Sequence, residues 1–164
     1  MSSLLYVVSR DANGKLDITP DTLKKNLSKY LNEFRLISDS LDILDAQVLN
    51  YYVKFGILCN PSVNKQATVK STITAIKQIL ELKYFQIDQP ILLDDIRNVI
   101  LNTPGVISLV DLDVGPLAGV VDSRVYSDVS FDFKKSTIRN MIIGPPGSIF
   151  EMRFPESDII GTAL

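Results

Sequence analysis

NKQATVKSTITAIKQILELKYFQIDQPILLDDIRNVILNTPGVISLVDLD, residues 64–113, is the stretch whose reading decides the fold. Within it Val69, Ile73, Ile76 and Leu80 are spaced four, three and four apart, which sets apolar side chains on one face of an α-helix. The spacing predicts a helix over residues 64–83. Asp88-Gln89-Pro90 interrupts it, and Leu92, Leu93, Ile96, Val99 and Ile100 form a second, shorter stripe. Asp94-Asp95 fall in the first turn of that helix, where the helix dipole favours negative charge. Asn102-Thr103-Pro104-Gly105 ends it, because proline disfavours helical geometry in the residue before it and glycine permits the turn. A strand over residues 106–112 follows.

Upstream, residues 4–9 read as a short buried strand closed by the turn residues Asp11-Ala12-Asn13-Gly14. Thr19 is placed as an N-cap with Pro20 at the first helical position, and Leu23, Leu27, Tyr30, Leu31 and Phe34 give a core-facing stripe, so a helix is expected over residues 20–34. Residues 41–59 carry Val48, Tyr51, Tyr52, Val53, Phe55 and Ile57 alternating with polar residues. They read as two antiparallel strands turning near residues 46–50 and ending at Asn60-Pro61-Ser62. This order of elements predicts an α+β fold, with a ferredoxin-like, split βαβ core over residues 1–113. Two long helices and a short third lie on one sheet, whose other face is left for a partner.

Residues 114–164 read as a β-rich C-terminal arm. Gly115-Pro116 and Gly119 open it, Tyr126, Val129, Phe131 and Phe133 give it strand character, and Gly144-Pro145-Pro146-Gly147 turns it before residues 149–154. An uncovered β arm would template pairing with another chain, which marks it as an oligomerisation element. Its large side chains, Tyr126, Phe131, Phe133, Met141, Phe150 and Met152, either anchor contacts with a partner or complete the chain's own core.

The 164 residues are 46% hydrophobic and 22% charged, the balance of a chain that folds. A net charge of -2 with scattered basic residues offers no general attraction to a phosphate backbone, so no nucleic-acid partner is expected. Residues 4–8, the N-terminal apolar run, fall short of a signal-peptide core of ~7–15 residues or a membrane span of ~20, so no membrane partner is expected either. Lone Cys59, in an apolar run, reads as a small buried hydrophobe in a chain kept in a reducing compartment.

Chemistry is hard to place on this chain. Histidine is absent, so Ser9, Ser62 and Ser136 have no imidazole base, and one cysteine makes no zinc site. Asp39, Asp42 and Asp45 lack the glycine and closing glutamate of a calcium loop and read as a solvated edge. Gly144-Pro145-Pro146-Gly147 lacks the lysine and hydroxyl of a phosphate loop and reads as a turn. Asp111 and Asp113 alternate on one strand and share a face, with nothing near in sequence to complete a site. No catalytic, cofactor-binding or metal-binding residue is named.

Tyr52-Val53-Lys54-Phe55-Gly56-Ile57 with Asn60-Pro61, then Val69, Ile73, Ile76, Leu80 and Tyr84-Phe85, then Ile96, Ile100 and Pro104-Gly105-Val106, carry a resemblance. Over residues 41–112 the chain resembles the closing segment of the baseplate J-like family, the wedge subunits of contractile, T-even-like phage tails. It departs from that pattern at Gln86-Ile87, where the family tends to a glycine. The resemblance implies a non-enzymatic scaffold of the virion's tail baseplate, assembled in the host cytoplasm. Such a subunit joins wedge to wedge in a ring and meets a second copy of itself, as a homodimer, and other baseplate wedge proteins. The alternative is a small ferredoxin-like regulatory or ligand-binding domain, holding a small molecule on the open sheet face or in the loop at residues 115–119. An enzyme built from carboxylates, lysine and tyrosine ranks third.

Overall fold

A computed structural model describes residues 2–34, 40–81 and 85–164. Its spine is β5 (Gln47–Cys59), a strand of 13 residues. Tyr51, Val53, Phe55, Ile57 and Cys59 alternate onto the buried face, and Tyr52, Lys54, Gly56 and Leu58 onto the other. β7 (Val106–Leu117) pairs antiparallel along one edge of β5. Along the other edge two short C-terminal strands lie end to end and parallel to β5: β12 (Ser148–Glu151) against Gln47 to Asn50, and β13 (Ile159–Ala163) against Val53 to Ile57. The helical turn α4 (Pro155–Asp158) takes up the chain between them.

On β7 the core-facing residues Val106, Leu109, Leu112 and Val114 are spaced three, three and two apart, a pattern that would throw alternate members to the wrong face of a regular strand. Two register shifts against β5 correct this, leaving Ile107 and Val110 without opposite partners. Each behaves as a bulge that absorbs one extra residue.

Helices α2 (Lys65–Ile79) and α3 (Leu93–Leu101) cover the buried face. Asn64 caps α2 by accepting from the backbone N–H of Ala67 at 3.1 Å. The side of α2 turned inward differs from the expected stripe: Thr68, Thr72, Ile76 and Leu80 are buried, while Val69 and Ile73 are half-buried on its flank. Threonines tolerate this because each hydroxyl donates to a carbonyl one turn back, Thr68 to Asn64 at 3.0 Å and Thr72 to Thr68 at 2.8 Å. Their methyl groups then pack as hydrophobes. Leu82 and Lys83, the last residues of the expected helix, lie outside the described residues, as does Tyr84. In α3, Ile96 and Ile100 are fully buried and Asp94 and Asp95 occupy the first turn, as the pattern predicts. Cys59 is a free, buried thiol.

The N-terminal part is a separate βαβ unit. β1 (Ser2–Val7) and β4 (Ser40–Asp45) pair in parallel, joined through α1 (Asp21–Asn32), and the chain then runs from β4 into β5 with only Ala46 between them. The expected antiparallel hairpin within residues 41–59 is therefore absent. Residues 46–50 hold no glycine or proline to reverse the chain, and Asn50 is buried. Thr19 is buried and bonded to Ser9, and Pro20 occupies the cap position of α1 without a side-chain bond. The short hairpin β2 (Ser9–Arg10) with β3 (Leu16–Asp17) turns through Gly14, at φ +78°.

The chain is thus mixed α+β, as its periodicities predict, but its pairing differs from a split βαβ core. β1 pairs with β4 and stays out of the β5 sheet, whose second edge is filled by β12 and β13. The expected boundary between a core at 1–113 and an arm at 114–164 falls inside β7, and residues 114–164 supply two strands and part of the main core. Between them run the hairpin β8 (Val120–Val121) with β9 (Arg124–Val125), and β10 (Thr137–Ile138) with β11 (Met141–Ile142). The latter continues onto β6 (Ile91–Leu92) at the start of α3. Both hairpins turn on two residues at positive φ, Asp122-Ser123 and Arg139-Asn140, the geometry that matches strand twist in a two-residue loop.

Candidate interaction surfaces

The six side chains named for an interface divide unevenly. Tyr126, Phe133, Phe150 and Met152 are buried within the chain itself, which corrects their assignment to a partner contact; Phe131 and Met141 are half-buried. Phe133 and Phe150 stack edge to face with centroids 5.7 Å apart, Phe150 meets Tyr51 edge to face at 6.1 Å, and Phe131 closes on Phe133 at 5.5 Å. Aromatic rings in this arrangement gain from their quadrupoles as well as from burial. Phe150 enters the core because β12 pairs with β5, a long-range choice that no local pattern in residues 114–164 carries.

Two buried polar groupings hold this packing in register. Glu151 on β12 accepts from the backbone N–H of Leu16 at 2.6 Å, from Asn50 at 2.9 Å and from Arg153 Nε at 2.7 Å. Arg153 also donates to the Leu16 carbonyl at 2.7 Å, and Asn50 accepts from the Ser127 N–H at 2.8 Å. One carboxylate thus ties the N-terminal hairpin, the central strand and the C-terminal segment together. In the second grouping Tyr126 donates to Asp158 Oδ1 at 2.7 Å, while Arg124 lies against both. Burial raises the Asp158 carboxyl above its ordinary value of 3.8, and the Tyr126 bond and the Arg124 charge pull it partly back.

A carboxyl raised in the folded state contributes stability that is fully present below its unfolded value and is lost as pH rises through its folded value. The Asp158→Asn variant keeps an acceptor for Tyr126 and removes the ionisation. Stability of the native chain relative to this variant is therefore expected to fall as pH rises from the ordinary value of 3.8 through the raised folded-state value, measured by urea unfolding of both proteins. Parallel curves across that range would contradict it.

The surfaces left open are elsewhere. On the outer face of the central sheet Tyr52 donates to Asp113 at 3.0 Å, and the Lys54 ammonium lies 4.8 Å from the Tyr52 ring. Asp111 and Asp113 do share this face, opposite Gly56 and Lys54. Around them Leu58 and Ile160 stay exposed, and the two bulged residues Ile107 and Val110 are 55% and 54% exposed. Beside the sheet, α1 has no buried residue. Lys24 ties it to β4 through Asp45 at 3.0 Å, but its expected core stripe is only partly covered: Leu27 and Leu31 are half-buried, while Leu23 is 53%, Tyr30 59% and Phe34 72% exposed. The stripe was legible in the sequence; among the described residues nothing fully covers it. Asp42 and Asp45 are exposed on β4, and Asp39 lies outside the described residues.

Among the described residues no group of three His, Cys, Asp or Glu side chains is placed to hold a metal ion. No helix among them is long and apolar enough to cross a membrane. Gly144-Pro145-Pro146-Gly147 is a turn, in which Ser148 bonds back to the Pro145 carbonyl and the ring of Tyr6 fills the space a side chain at Gly147 would need. No family model and no curated protein matches this chain.

Proposed function

We propose that the chain is a structural assembly module, a wedge subunit of a contractile-tail baseplate that joins its neighbours through contacts with a second copy and with other wedge proteins. The observation that carries the assembly reading is the apolar surface left uncovered on α1 and on the outer face of the β5 sheet. Parallel strands are ordinarily covered on both faces, yet the two-stranded β1–β4 unit leaves Leu4 and Leu44 exposed as well. The baseplate assignment rests on the resemblance over residues 41–112. The succession of β5, α2, α3 and β7, with Asn60-Pro61 and Pro104-Gly105 at the breaks, is the order that resemblance implies and supports it. On this reading the protein belongs to the virion and no residue is catalytic.

The alternative is a small ligand-binding domain, holding a small molecule on the open sheet face or in the loop at residues 115–119. Beside that loop a cleft of about 280 Å³ lies between Tyr52, Asp113, Gly115 and Phe131, at the small end of the ~300–1,000 Å³ usual for such sites.

The test is sedimentation velocity across a dilution series of the native chain and of a Leu23→Asp/Tyr30→Asp/Val110→Asp variant. All three positions are exposed, so folding should survive. The native chain is expected to associate, with an interface above ~1,000 Å² in total, and the variant to remain a monomer. A native chain that stays monomeric at every concentration and gains no mass with baseplate wedge proteins would overturn the reading.

A further inference from the structure

We infer that the free edge of β13, together with the flank of α2, is a dock for an extended acidic segment of a partner protein, which adds to the central sheet as a strand. β13 pairs with β5 along one edge, and among the described residues it has no other strand partner. The N–H of Leu164 donates to the Ile57 carbonyl, so by alternation the N–H and C=O groups of Gly161 and Ala163 point away from β5, and both residues are partly exposed, whereas Ile159 at the α4 end is buried. These form a row of unpaired backbone groups of the kind an extended peptide completes.

Beside that edge the structure holds a groove of about 550 Å³. Its floor is Val69 and Ile73 of α2 with Gly161 and Ala163 of β13. It exists because α2 buries its threonine side, leaving Val69 and Ile73 half-covered on the flank. It stays open because the strand beneath carries two of the smallest residues. Gly161 is obligatory there: a Cβ would lie 2.3 Å from the ring of Phe55. An extended chain laid along β13 would drop alternate side chains onto this apolar floor while its backbone pairs with the strand.

Charge decides which peptide fits. Lys65 and Lys70 line the groove, both are exposed, and among the described residues neither joins an ion pair. The first turn of α2 holds no acidic residue to neutralise them. The complement is a segment of alternating small apolar residues and Asp or Glu, with a carboxylate at the Lys65 end. The dock lies apart from α1 and Val110, so it goes beyond the assembly reading and stands or falls separately from it.

The experiment is selection of a randomised ten-residue peptide pool, displayed on messenger RNA, against the immobilised full chain. Enriched peptides are then titrated by fluorescence anisotropy and mapped by backbone amide shifts. Acidic, alternating peptides are expected to enrich and to shift Gly161 and Ala163. They should lose about tenfold or more in affinity with a Lys65→Glu/Lys70→Glu chain, and as much when their alternate amides are N-methylated. No enrichment over bare support, enrichment of peptides lacking carboxylates, or affinity unchanged in the charge-reversed chain would overturn the proposal. So would self-association of the native chain that is lost with Lys65→Glu/Lys70→Glu, which would make the occupant a second copy.

Discussion

Phe150→Ala is expected to lower the unfolding free energy by about 3–5 kcal/mol, the range for truncating a buried phenylalanine. The side chain is 1% exposed and touches three other rings, so the cavity left behind has rigid walls that collapse poorly. At ~2–4 °C per kcal/mol for a domain of this size, the midpoint of thermal unfolding should drop by roughly 10 °C, read by circular dichroism. Ile160→Ala, on the exposed face of the neighbouring strand, is the control and should stay within about 1 kcal/mol. The contrast separates two descriptions of residues 114–164. A tail that packs elsewhere would make Phe150 as tolerant as Ile160, whereas strands integral to the sheet make the two differ by several-fold.

Replacing Glu151 should cost a similar amount for a different reason. Glu151→Ala removes the acceptor shared by Leu16, Asn50 and Arg153, leaving an arginine whose side chain is only 15% exposed without its partner. Breaking a buried pair by deleting one member typically costs about 3–5 kcal/mol, because the remaining charge keeps its desolvation penalty. The loss should be larger than that of Glu151→Gln, which retains one carbonyl acceptor but turns an amide N–H₂ toward the donors. Urea unfolding of the three proteins checks the order. Equal stability of native and Glu151→Ala chains would mean that the three segments are held together by packing alone. The position of this carboxylate also predicts where the damage spreads. Leu16 belongs to the small N-terminal cluster with Ala46, Val48 and Ile149, so hydrogen exchange in β2 and β3 should quicken first.

What residues alone determined is local. The 3.6-residue spacing of Ile76 with Leu80 and of Ile96 with Ile100 wrote α2 and α3, Asn64 and Pro104-Gly105 wrote their ends, and the alternation from Tyr51 to Cys59 wrote the central strand. The burial of Cys59 and the turn at residues 144–147 were legible for the same reason: each depends on neighbours a few residues away. Tertiary structure decided which strand lies beside which. A backbone edge is the same hydrogen-bonding row whatever its sequence, so nothing in the pattern at residues 148–163 announces β5, about a hundred residues upstream, as its partner. That single choice turned part of an expected arm into sheet and buried Phe150, the segments beside those strands bury Tyr126, Phe133 and Met152, and β1 pairs with β4 instead. It also explains α1. An amphipathic stripe states that a helix has an apolar side, but whether this chain or another protein covers that side depends on how many layers the fold supplies. Here the sheet spends its helices on one face, and α1 keeps Leu23, Tyr30 and Phe34 in the open.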